Sequence, residues 1–322
     1  MQVVTSAPGK IIVAGEYAVL QGAPAVCAAV NRRALVSISH SDSGEHSVSA
    51  PGFRERGLRF ESIAEVAEEL PLLAAVWGQF PMASQAALNI EIDTRRFYSG
   101  SEKLGIGSSA AAVVALTAAF AAIYPGGSNV GKQARAAHLA LQNGRGSGAD
   151  VASSHQGGVI EYRMQAAESV SLSWPKNLHY ALLWSGRSCS TTAQLQKLDG
   201  ARSSDAVAEL VMAAEDVAIA WRSNVVQRIL TALQGYADAL RHYDDENQLD
   251  IFSAGHAALT EQAASSQVVY KPCGAGGGDF GIAVADDSQK LLAFIAVAEA
   301  KGFERSDLAI DSAGMVLDRR EL

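Results

Sequence analysis

Three cysteines in 322 residues, Cys27, Cys189 and Cys273, are too few and too widely spaced for a disulfide framework or a zinc motif. Their scarcity points to a reducing, cytoplasmic compartment. Positive charge is also short: 26 Lys and Arg stand against 34 Asp and Glu, a net charge of −8. That balance excludes a chain-wide basic face, so neither nucleic acid nor a membrane surface is an expected partner. A local basic pocket for a small anion stays open. Long apolar runs are missing. The nearest approach, 106–124, opens with Gly-Ser-Ser and is rich in alanine, which reads as a buried helix rather than a membrane span. The opening MQVVTSAPGK has no basic stretch followed by an apolar one, so no secretory signal is expected. What is present suits a globular chain. The 48% hydrophobic and 19% charged residues allow a core and exclude wholesale disorder, in a length of about two domains.

Alternating apolar and polar residues predict strands at 2–6 and 10–14 around a Pro8-Gly9 turn, and again at 34–39 and 88–93. Ile63, Val66, Ala67 and Leu70 fall at helical spacing within 61–79, a pattern interrupted by Pro71. A helix over 108–124 is expected to start on serine and stop at Pro125-Gly126-Gly127, and a second over 132–143 to end at Gly144. Further strands are expected at 159–163, 179–184, 267–271, 281–285 and 314–317. No proline lies between Pro175 and Pro272, and that span reads mostly as helix, at 204–221, 223–243 and 253–265. Another helix is expected at 287–301. Strands and helices do not alternate strictly, so the fold class is α+β rather than a doubly wound sheet. A boundary is expected near 165–178, dividing the chain into 1–170 and 171–322.

Four segments carry chemistry. In the first, residues 6–26, Lys10 opens an apolar strand after Pro8-Gly9. A lysine there either meets an anion or carboxylate, or snorkels from the strand end into water. In the second, residues 102–116, Gly105 and Gly107 lead into Ser108 and Ser109 at a helix start. A glycine turn feeding a helix N-terminus is an anion site, because free N–H groups and the helix dipole face it. The pattern is neither a P-loop nor a dinucleotide fingerprint. In the third, residues 137–158, Gly144, Gly146 and Gly148 surround Arg145 and Ser147 ahead of Asp150. That carboxylate either approaches a ligand or serves as a helix cap. In the fourth, residues 271–284, glycine fills four of the positions 274–278, permitting close backbone approach to a ligand or a flexible hairpin.

In this order and spacing, near residues 10, 105, 150 and 276, the segments resemble the GHMP kinase superfamily over essentially the full chain. The resemblance implies an N-terminal domain like ribosomal protein S5 domain 2 and a ferredoxin-like C-terminal domain, with ATP and Mg2+ as cosubstrates. It implies that Lys103, Gly105, Ile106, Gly107, Ser108, Ser109 and Ala110 bind ATP, Ser109 contacting the metal or phosphate. Asp150 matches the catalytic aspartate and Lys10 the lysine of the first motif. Substrate contacts are implied for Lys10, Glu16, Tyr17, Ser147, Gly148, Asp150, Ser190, Gly274, Ala275 and Gly276. Gly15-Glu16-Tyr17-Ala18-Val19, Lys103 before Leu-Gly-Ile-Gly-Ser-Ser, Gly277-Gly278-Asp279, and Trp184-Ser185-Gly186 with Ser190-Thr191 are most similar to the phosphomevalonate kinase branch. An acceptor that is itself a phosphate, with a second pKa near ~6, needs cations more than a general base. Lys10 and Lys103 are the first candidates for that role, and Arg145 the weaker one. A mevalonate or other small-alcohol kinase is the alternative, a non-catalytic metabolite or nucleotide sensor another. A homodimer is among the assemblies the resemblance allows. One departure stands out: the glutamate that some relatives place about eleven residues before the catalytic aspartate, as a magnesium ligand, is replaced by Leu139, beside His138.

Overall fold

The computed structural model describes residues 2–52, 54, 56–81, 83, 86–124, 129–189 and 204–320. Its strands begin with β1 (Gln2–Ala14), β2 (Pro24–His40), β3 (His46–Ser49), β4 (Leu58–Phe60) and β5 (Leu88–Asp93). A short hairpin of β6 (Tyr98–Ser99) and β7 (Glu102–Lys103) follows, then β8 (Val159–Arg163), β9 (Glu168–Leu172) and β10 (His179–Trp184). The last four are β11 (Val269–Pro272), β12 (Phe280–Ala285), β13 (Glu304–Arg305) and β14 (Val316–Arg320). The helices are α1 (Pro71–Trp77), α2 (Ser108–Ile123), α3 (Val130–Leu141), α4 (Ala149–Gln156), α5 (Ser204–Ser223), α6 (Val226–Asn247), α7 (His256–Ser266) and α8 (Ser288–Ala300).

Two sheets organise the chain, and the class is α+β. The larger runs β14-β1-β2-β5-β3-β4, with β8 pairing β2 and β9 pairing β8. The smaller runs β11-β12-β10-β13. The chain passes from one to the other between β9 and β10, and its last described strand returns to the first, pairing antiparallel with β1. The smaller sheet buries Leu183, Tyr270 and Ala283 against Leu259 of α7 and Phe294 of α8.

The turn expected at Pro8-Gly9 is instead a bulge within one long strand, where the β1–β2 register shifts between Pro8 and Gly9. Proline has no N–H to give the ladder and is tolerated at such a position. The strand continues because Lys10 N–H donates to the Ile106 carbonyl at 2.8 Å, tying it to the glycine turn before α2. β1 alternates in burial as far as Ala7, then is buried throughout from Pro8 to Ala14. Pro71 does not interrupt a helix but opens α1 at its first turn, where a missing N–H costs nothing. α2 is buried on all sides from Ala110 to Phe120. Its alanines allow close approach to β1, and Thr5 Oγ1 donates to the Ala115 carbonyl at 2.7 Å. The serine cap expected for α2 is absent. Gly107, in the left-handed region at φ 80°, is the N-cap and no side chain caps the helix. Helix α4 begins at Ala149, so Asp150, read in the sequence as a ligand contact or a helix cap, lies within its first turn.

Candidate active site

Lys10 and Asp150 meet at the centre of a cleft. Lys10 Nζ lies 3.3 Å from Asp150 Oδ1, with the lysine side chain 9% exposed and the aspartate 26%. The pair comes from distant parts of the chain: β1 delivers the lysine, and the first turn of α4 delivers the carboxylate. Burial disfavours the Lys10 ammonium, but Asp150, together with Cys27 and Asp279, outweighs it and holds the lysine above its ordinary pKa. Of the two readings open for each residue in the sequence, Lys10 therefore has a carboxylate partner, and Asp150 lies inside the helix, not at its cap.

Two concavities open on either side of this pair. Both are lined by Lys10, Gly105, Gln142, Asp150 and Asp279. One also takes Lys103, Gly107, Ser108, Ser109, Ser188 and Cys189. It holds the glycine turn and the start of α2, whose backbone N–H groups and dipole favour an anion. Ser109 Oγ lies 3.2 Å from His138 Nε2 on α3, and burial holds that imidazole below its ordinary pKa. A Cβ on Gly107 would sit 3.0 Å from Lys10 Cε, so the bare turn is what lets the lysine stem pass beneath it. Ile106 and Ala110 do not present side chains here. Both are buried in the core, and the Ile106 carbonyl is taken by Lys10.

The other concavity takes Glu16, Tyr17, Val19, Arg145, Ser147, Gly148, Cys273, Gly274 and Ala275 beside the shared residues. Tyr17, at φ 62°, donates its hydroxyl to the Ala275 carbonyl at 2.5 Å. Ser147 Oγ accepts from Ala149 N–H at 3.2 Å, and its carbonyl accepts the Tyr162 hydroxyl at 2.9 Å. Gly276 faces Ile251 rather than the concavity. Asp244, at the end of α6, accepts from Ile251 and Phe252 N–H at 2.9 and 3.0 Å, while the Ile251 carbonyl accepts Gly277 N–H at 2.8 Å. The glycine loop is thus anchored from below. Ser190 lies outside the described residues.

Three features escaped the sequence reading. The first is the ion pair of Glu16 with Lys271, 3% and 1% exposed, beneath the second concavity. Burial pushes the Glu16 carboxyl up against the pull of Lys271. Only the run of apolar residues around Lys271 hinted at a buried charge. The second is Asp279, which lines both concavities and accepts Cys189 N–H at 3.2 Å. Burial pushes its pKa up to about 6, against the opposing pull of Lys10 and Lys103. The third is the sorting of cations: Lys103 lines only the first concavity, Arg145 only the second, and Lys10 both.

Among the described residues, no group of three or more His, Cys, Asp or Glu is arranged to hold a metal ion. No described helix is long and apolar enough to cross a membrane.

Residues 66–158 match the GHMP kinases N terminal domain family. The phosphomevalonate kinase of Streptomyces sp. (strain CL190) is 29% identical over 338 residues, covering 88% of this chain and 90% of that one. The mevalonate kinase of Pyrococcus horikoshii is 31% identical over 50% of this chain and 51% of its own. Among solved structures, a Lin0012 protein from Listeria innocua superposes with a TM-score of 0.87 at 20% identity, over 99% of this chain and 100% of that one. Streptococcus pneumoniae phosphomevalonate kinase in complex with phosphomevalonate and AMPPNP gives 0.80 at 18% identity, over 95% and 99%. At these identities the structural likeness speaks for the fold.

Proposed function

We propose that this chain, which belongs to the GHMP kinases and is an ATP-dependent phosphotransferase, moves the γ-phosphoryl of ATP to 5-phosphomevalonate, giving 5-diphosphomevalonate and ADP. The observation that carries the reading is the pair of concavities meeting at Lys10 and Asp150, one backed by the glycine turn and α2, the other by the glycine loop of 274–278. The near full-length relative named phosphomevalonate kinase supports the choice of acceptor.

Phosphoryl transfer asks for in-line placement and charge neutralisation. ATP enters the first concavity with its phosphates against the N–H groups of Gly107 to Ser109. The acceptor enters the second with its phosphate at the junction. An oxygen of that phosphate forms a bond to the γ-phosphorus while the bond from the γ-phosphorus to the β–γ bridging oxygen breaks, and ADP leaves. Lys10, buried and held charged by Asp150, stands between two anions that would otherwise repel. Asp150 fixes the lysine and takes up any proton the acceptor phosphate still carries.

Magnesium keeps several waters and needs few protein ligands when phosphates supply the rest. A hydroxyl at the start of α2 beside the Asp150 and Asp279 carboxylates fits an ion carried in by the nucleotide, with Ser109 its hydroxyl ligand. Bound there, it would neutralise charge on the β- and γ-phosphates. The half-length match to a mevalonate kinase favours a second reading, in which Asp150 polarises an alcohol instead. Coupled ADP release, measured with phosphomevalonate, mevalonate, sugars and amino alcohols, decides the matter. Turnover on phosphomevalonate well above the others is expected. Efficient use of mevalonate alone overturns this acceptor, and ATP binding without turnover on any acceptor returns the chain to a sensor.

A further inference from the structure

We infer, on the reading above in which magnesium-ATP fills the first concavity, that His138 is a positioning residue. Its imidazole accepts the proton of the Ser109 hydroxyl and so turns the lone pairs of that oxygen toward the ion the nucleotide brings.

Ser109 lies half-buried in the first turn of α2 and lines the nucleotide concavity. Its Oγ is 3.2 Å from His138 Nε2. His138 is 3% exposed, in the last turn of α3, and lines the acceptor concavity instead. It therefore approaches the hydroxyl from behind, on the side away from the nucleotide. A serine hydroxyl has one hydrogen and two lone pairs. A hydrogen aimed into the concavity would meet a cation with its positive end. An acceptor behind the oxygen removes that conflict, and a neutral imidazole nitrogen is such an acceptor. Burial disfavours the charged ring, while Asp150 favours it and Lys10 opposes it. The carboxylates of the cleft take other donors: Asp150 faces Lys10 Nζ at 3.3 Å, and Asp279 accepts Cys189 N–H at 3.2 Å. Acceptance at Nε2 places the ring's own hydrogen on Nδ1.

The test measures AMPPNP binding by calorimetry, in Mg2+ and in EDTA. The proteins are wild type, His138→Phe, His138→Gln, Ser109→Ala and the double variant of His138→Phe with Ser109→Ala. A group that orients a metal ligand typically governs about 10- to 100-fold in metal affinity. His138→Phe is therefore expected to weaken binding in Mg2+ by about tenfold and to leave binding in EDTA unchanged. Ser109→Ala should do the same, and the double variant should be no weaker than either single one. His138→Gln, whose amide oxygen can accept the same proton, should recover most of the loss. Nitrogen-15 spectra of the wild-type complex with Mg2+ and AMPPNP give a second readout: the His138 ring should carry its hydrogen on Nδ1. Equal weakening with and without Mg2+ would make His138 a packing residue and overturn the inference. So would additive losses in the double variant, unchanged binding in His138→Phe, or a hydrogen on Nε2. If wild type binds AMPPNP no better in Mg2+ than in EDTA, the placement of the ion at Ser109 itself fails, and the inference with it.

Discussion

The Asp279 carboxylate lies directly against the α-carbon of Gly105, so that any β-carbon on that glycine would overlap it. The contact joins the glycine turn before α2 to the strand that opens at Phe280, two pieces of chain on opposite sides of the cleft. Gly105 also sits at φ 69°, a region costly for other residues.

Gly105→Ala should therefore fail twice, by backbone strain and by displacing the carboxylate. A loss of about 1–3 kcal/mol in stability is expected, with a rise of tenfold or more in KM for ATP. Thermal unfolding and initial-rate kinetics check it. Adding Asp279→Gly to Gly105→Ala should recover part of the stability, because it removes the overlap but not the strain. No recovery would place the whole effect in the backbone.

Asp279 gives a pH dependence of unusual sign. Its folded-state pKa, about 6, lies above the ordinary 3.8, so the folded chain holds the proton more tightly than the unfolded one. The group thus favours folding below about pH 4, and that contribution is lost as the pH rises through about 6. Asp279→Asn should raise stability at pH 8 by on the order of 1–2 kcal/mol, seen as a higher Tm, and give no gain at pH 4. Melting curves across that range test it, and a gain independent of pH would assign the effect to packing.

The Glu16–Lys271 pair is buried on both sides, and breaking such a pair leaves a stranded charge. Lys271→Met alone should cost about 3–5 kcal/mol. Glu16→Gln with Lys271→Met should cost clearly less than the two single changes together. Denaturant titration of the four proteins closes the cycle, and simple additivity would mean that the two charges are not coupled.

Asp150→Asn keeps the shape of the carboxylate but not its charge, so Lys10 loses its partner at 3.3 Å. Turnover should fall by about 10- to 100-fold, the lower part of the range for loss of an acid–base group, since a phosphate acceptor is already largely ionised. Nucleotide binding should change little. Rates equal to wild type would remove Asp150 from the chemistry.

Lys103 is exposed and lines only the nucleotide side. Lys103→Met should raise KM for ATP severalfold and leave the ratio of phosphomevalonate to mevalonate turnover unchanged, with the effect shrinking as salt rises. A collapse of that acceptor preference would put the lysine at the junction after all.

Local patterns were readable in the chain. β5, β8 and β10 fall at the residues that alternation or apolar runs predict, and the glycine-rich turns announce themselves because few other residues tolerate their backbone angles. Family resemblance named Lys10, Ser109 and Asp150 before any geometry. The sequence by itself thus determined the α+β class and brought forward Lys10, Ser109 and Asp150, which the folded chain places along one cleft. Only the tertiary structure decided their partners. Lys271 and Glu16 are separated by most of the chain, and no local pattern records that a buried lysine will find a carboxylate across a sheet boundary. The division of Lys103, Lys10 and Arg145 between two concavities has the same origin: each sits on a different segment, and which side of the cleft a charge faces depends on how those segments pack. Pro8-Gly9 shows the limit most plainly. Read locally it is a turn, but the Ile106 carbonyl, nearly a hundred residues away, holds the strand straight on through Lys10.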